Sequence, residues 1–64
     1  MKKQLTLKEW RLLNDMTQPE MAMKVGLHPN TYRTYEADIT KVRVGTIIHI
    51  CDVLGIKTSE LKIF

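Results

Sequence analysis

Sixty-four residues with ten Lys and Arg against seven Asp and Glu carry a formal charge of +3, and a chain this short makes one domain with a small core. The single cysteine, Cys51, excludes an internal disulfide, and apolar runs of no more than two or three residues exclude a membrane span. No apolar stretch follows Lys2 and Lys3 to make a signal peptide, so a reducing cytoplasm is the expected setting, with a partner subunit as the source of added stability.

The first periodic segment runs from Thr6 to Asn14, where Leu7, Trp10 and Leu13 recur at intervals of three with Arg11 beside them, predicting helix 1. Helix 2 has the clearest start. Thr17-Gln18-Pro19-Glu20 fits a capping box, in which Thr17 caps and Glu20 reaches back to the Thr17 amide. Pro19 is tolerated because first-turn amides have no intrahelical partner. Met21, Ala22 and Val25 then face inward, and Gly26 supplies the left-handed residue that ends the helix. Helix 3 opens at Pro29 and ends near Glu36, with Asp38 expected in the left-handed conformation. Helix 4 covers Val44 to Leu54, its apolar stripe being Val44, Ile47, Ile48, Cys51 and Leu54, and Gly55 closes it. A last helix is expected from about Thr58, taking in Leu61, Ile63 and Phe64. No strand competes, since the brief Ile-Ile-His-Ile stretch fits the helical period better. The expected fold is all-α with five short helices.

Residues 17–36 therefore read as two short amphipathic helices joined by a tight turn at Gly26. The second carries small polar and basic side chains on the face its apolar residues leave open. A helix pair of this shape has one well-attested task, which is to lay its second helix in the major groove of DNA. Charge position agrees with that use. Arg33, Lys41 and Arg43 flank the second half of the pair, while Asp15, Glu20, Asp52 and Glu60 lie away from it in sequence.

Across Leu7 to Leu61 the order of residues is Leu7, Trp10-Arg11, Met16-Thr17-Gln18, Met21-Ala22, Gly26-Leu27-His28, Glu36 and Leu54-Gly55-Ile56. This order resembles, without a gap, the helix-turn-helix domains of the phage repressor and Cro type. The resemblance implies a compact lambda-repressor-like bundle of five helices, a single DNA-binding domain over residues 1–64 with its core at 7–61 and the helix-turn-helix at 17–36. It also implies roles. Gln18 matches a glutamine that contacts a backbone phosphate and braces the start of helix 3. Ala22 matches a small residue that lets the two helices approach. Arg11 and Glu36 match a buried salt bridge between helix 1 and the end of helix 3. Departures are visible too. His28 replaces the usual Ser or Thr cap, leaving the start of helix 3 less firmly fixed. Tyr32 and Tyr35 occupy positions usually aliphatic or mixed, Asp38 replaces a Gly, and Val42-Arg43 replaces Pro-Ser.

On helix 3 the exposed arc holds Pro29, Asn30, Arg33 and Thr34, the base-contacting candidates. Asn30 suits adenine and Arg33 suits guanine O6 and N7, while Pro29 offers an apolar surface to a thymine methyl. Thr34 suits a single-bond contact, and Gln18, His28, Thr31, Lys41 and Arg43 are the phosphate-contacting candidates that set register rather than sequence.

Blander readings compete. Taken alone, Asn30 or Arg33 is an ordinary solvated residue. Lys41 and Arg43 are simple surface charges if no DNA binds. Tyr32, Tyr35 and Trp10 read as packing residues, and Cys51 as a small hydrophobe. His49 and Cys51 stand two apart and share no helix face, and His28 is remote, so no metal site is expected. Nothing marks a nucleophile, a carboxylate pair, a phosphate loop, a cofactor site or an effector site, and an enzyme is not expected. Leu12, Ile56, Ile63 and Phe64 exceed what so small a core needs and are candidates for a homodimer interface. The expected function is a cytoplasmic, sequence-specific regulator of transcription, a repressor on an inverted-repeat operator. Its rival is a protein-interaction module, antitoxin-like or an adaptor subunit, on the same helical scaffold.

Overall fold

Side-chain caps set where the helices begin. Thr6 accepts from the Glu9 amide while Glu9 returns a bond to the Thr6 amide, and Thr17 and Glu20 repeat the arrangement at the next helix. In the computed structural model, which describes residues 4–63, four α-helices follow in order: α1 Leu7–Leu13, α2 Gln18–Val25, α3 Pro29–Ala37 and α4 Val44–Leu54. Gly26 (φ 74°) and Gly55 (φ 70°) end α2 and α4 in the left-handed conformation, where an L side chain is disfavoured.

The expected fifth helix is absent from the described residues. Thr58–Glu60 form only a 3-10 turn, a second such turn at Ile39–Lys41 joins α3 to α4, and Phe64 lies outside the described residues. The tail has other work. Leu5 and Leu61 form an isolated parallel bridge, with Leu5 N–H on Glu60 O at 3.2 Å and Lys62 N–H on Leu5 O at 2.8 Å. Trp10 adds its indole N–H to Glu60 O at 2.9 Å. Those groups are unavailable for helical bonds, and the tail instead drives Leu61 into the core at 1% exposure.

Met21, Ala22, Tyr32 and Ile50 have no exposed surface and form the centre, with Leu7, Val25, Val42, Ile47 and Cys51 around them. The α4 stripe is thus corrected. Ile50 is buried, whereas Val44 and Ile48 are 74% and 54% exposed. Positions 44/47/48/51 and 47/50/51/54 both have helical spacing, and packing of α4 on α2 selects the second set. Leu13 is likewise exposed. Arg11 turns inward to meet Glu36, and at 100° per residue Leu13 lies about 200° round α1 from it.

Asp38 is not left-handed. Its backbone is extended (φ −147°, ψ 92°), and its carboxylate accepts from the Thr40 amide at 3.1 Å, capping the 3-10 turn. The left-handed non-glycine residue is Asp15 (φ 54°) in the α1–α2 connection. Ile56, expected at a subunit interface, packs against the core. Tyr35 and Trp10 do so as half-buried residues, and Cys51 is fully packed.

Candidate nucleic-acid interface

The outer side of α3 is built from the inside outward. Tyr32 is sunk in the core and Glu36 lies one turn on, so the same helix must turn Pro29, Arg33, Asn30 and Thr34 to solvent. With Ala37 they cover an arc of about 140°, and all five are exposed. The Asn30 carboxamide and the Arg33 guanidinium have no hydrogen bond or ion pair within the described residues. Thr34 differs, because its hydroxyl donates to Asn30 O at 3.0 Å and keeps only acceptor capacity for a ligand. Thr31, at the edge of the arc, is half-buried.

Beneath this face lies a polar anchor. Arg11 Nε is 2.7 Å from Glu36 Oε2, and both side chains are more than nine-tenths buried. Arg11 also donates to Met16 O at 2.7 Å, and Gln18 Nε2 donates to Glu36 Oε1 at 3.1 Å. One carboxylate thus ties α1, the first residue of α2 and the end of α3 together. Burial pushes the Glu36 carboxyl up, but the bonds from Arg11 and Gln18 and the nearby Tyr32 hydroxyl outweigh it and hold the group below its usual range. Burial, then the Glu36 charge, drives the Tyr32 phenol far above its ordinary value; its hydroxyl feels both charges yet closes no hydrogen bond of ordinary geometry.

At the other end of α3, His28 is a working cap. Its Nδ1 accepts from the Asn30 amide at 3.1 Å, so the start of the helix is held despite the missing Ser or Thr. Lys41 and Arg43 are exposed on the connection after α3, and the turn that carries Lys41 packs against that helix. Asp38 shapes this turn through Thr40, a role the sequence signalled only as Asp-x-Thr, the pattern of a side-chain-capped turn. Gln18 is half-buried, and its side-chain amide commits one of its two N–H donors to Glu36.

A helix-turn-helix family model matches residues 7–61, more than four-fifths of the chain. The chain belongs to the helix-turn-helix family, of the phage repressor and Cro type. No curated protein and no solved structure matches it. As a helix-turn-helix protein it is a DNA-binding regulator of transcription, from a family whose work is regulatory rather than enzymatic. In this structure α2 and α3 pack together, and no helix among the described residues is long and apolar enough to cross a membrane.

Proposed function

We propose that the protein is a cytoplasmic, sequence-specific repressor of transcription. Two copies occupy an inverted-repeat operator and occlude it. Residues 1–64 act as one domain, with the core at 7–61 and the helix-turn-helix at 17–36. Asn30 and Arg33 read base edges, with Pro29 against a thymine methyl and Thr34 as an acceptor. Gln18, His28, Thr31, Lys41 and Arg43 hold phosphates and set the register.

A single observation carries this reading. Two side chains with bidentate base-pairing chemistry, Asn30 and Arg33, stand uncommitted on the exposed arc of a helix that a buried ion pair at Glu36 ties to α1. A recognition surface has to be both rigid and unspent, and this arc is both. Selection of bound duplexes from a random pool tests it. The expected product is a pair of inverted half-sites whose centres lie one helical turn apart, about 34 Å. A pool that remains random after selection would overturn it.

The exposed apolar side chains Leu12, Leu13, Met23, Val44 and Ile48 favour a second use, contact with another protein. Salt separates the two. DNA binding loses affinity steeply as log[salt] rises, whereas an apolar protein contact does not.

A further inference from the structure

We infer that His28 is a positioning residue that makes base reading, as distinct from phosphate gripping, depend on pH. This rests on the proposed use of α3. The Asn30 amide points at His28 Nδ1 from 3.1 Å, and an imidazole nitrogen accepts only when it carries no proton. The capping form is therefore the neutral ring with its hydrogen on Nε2. A Ser or Thr cap has no such condition, because its hydroxyl oxygen accepts at every physiological pH.

Protonation changes both ends of the ring. Nδ1 becomes a donor facing the Asn30 donor, and a positive charge stands at the positive end of the α3 dipole. The first turn, which holds Pro29 and Asn30, loses its side-chain cap. The same added charge attracts a DNA phosphate. Acid thus loosens the part of the helix that reads bases while leaving electrostatic attraction intact or stronger.

The nearest charged residues along the chain are Lys24, in the last turn of α2, and Arg33 on α3, both cationic, and no ion pair joins His28 to an acid among the described residues. Glu36 is spent on Arg11 at the far end of the helix. Glu20, Glu36 and Asp38 are all held below the ordinary carboxylate range, so they keep their charge between pH 8 and 5.5, where imidazoles titrate. The other histidine, His49, is exposed on α4, and a His49→Gln background removes it.

The test compares a selected duplex with a scrambled one at pH 8 and pH 5.5 in the His49→Gln background, at fixed salt. The ratio of the two affinities should fall about three- to tenfold on acidification, the loss expected for one helix cap, while affinity for the scrambled duplex does not fall. His28→Asn keeps a capping oxygen that does not titrate. It should hold the high-pH ratio at both pH values, even if both affinities drop. His28→Ala should show the low ratio at both. A parent ratio independent of pH, or a ratio in His28→Asn that still falls, overturns the inference. In the DNA-free protein, the Asn30 amide resonance should titrate with the His28 ring. If it does not, the cap is not coupled to the ring and the inference fails without reference to DNA. If it does, yet no duplex is preferred at any pH, the sequence-reading function fails and the amide measurement still stands.

Discussion

Arg33 and Lys41 are both exposed cations, yet the elements that carry them predict different consequences for their removal. Arg33 projects from the middle of α3 with a planar donor fork suited to one base. Lys41 is a point charge on a turn. Arg33→Ala should cost about 1–3 kcal/mol at particular base pairs and little elsewhere. Lys41→Ala should weaken all duplexes alike and lower the salt slope by about one. Binding curves on selected and scrambled duplexes over a salt series separate the two. Equal loss of affinity on every sequence for Arg33→Ala would mean that it grips rather than reads. Asn30 and Arg33 were legible as surface residues because their neighbours Tyr32 and Tyr35 claim the inner face. The commitment of Gln18 to Glu36 was not legible. The two are 18 residues apart, and nothing local records their meeting.

At the scale of the element, the Arg11–Glu36 pair decides whether α3 keeps its pose. Removing one partner strands a buried charge, so Arg11→Ala should cost about 3–5 kcal/mol in denaturant unfolding. The pH dependence follows from the lowered Glu36 carboxyl. A carboxylate held below its unfolded value contributes its full stability above that value, about 4.3, and loses it as pH falls through the folded value. The melting temperature should therefore hold from neutral pH to about 4.5 and then decline, more steeply in the parent than in Glu36→Gln. Parallel acid profiles for the two proteins would remove Glu36 from that role. Element boundaries were legible where a cap or a glycine marks them, as at Thr17, Gly26, Pro29 and Gly55. Thr6 with Glu9 repeats the capping box of Thr17 with Glu20, a signal present in the sequence at the start of α1. Helical rotation was less legible. Ile50→Ala should cost about 2–5 kcal/mol and Ile48→Ala about 0.5 kcal/mol or less, a contrast that equilibrium unfolding reads directly. Comparable losses at both positions would mean that Ile48 packs inward as Ile50 does.

The whole molecule has little stability to spare. A domain of 64 residues holds roughly 3–10 kcal/mol in total, so losing either the ion pair or Ile50 consumes a large share of it. This makes the pairing of Leu5 with Leu61 important, since that bridge and the Trp10 bond to Glu60 O hold the segment that carries Leu61 into the core. Two copies on an operator have centres about 34 Å apart, and one copy measures 33 Å along its longest axis. Direct contact between them is easiest when the long axes follow the duplex. Sedimentation at rising concentration, with and without a selected duplex, should show a two-to-one complex on DNA; a one-to-one complex on a two-half-site duplex would remove the dimer from the proposal.

Local chemistry was enough to place four helices, to join α2 and α3 through Gly26 and to mark α3 as the surface to watch. Caps, turn glycines and apolar spacing act over three or four residues, and such short-range effects are written in neighbouring letters. Long-range packing settled everything that needed two distant segments to agree: which stripe of α4 faces inward, why the tail after Thr58 bridges to Leu5 instead of coiling, and how Glu36 serves Arg11 and Gln18 together. Each of those outcomes is a competition between alternatives that are equal locally. Burial and hydrogen bonding across the folded chain break the tie.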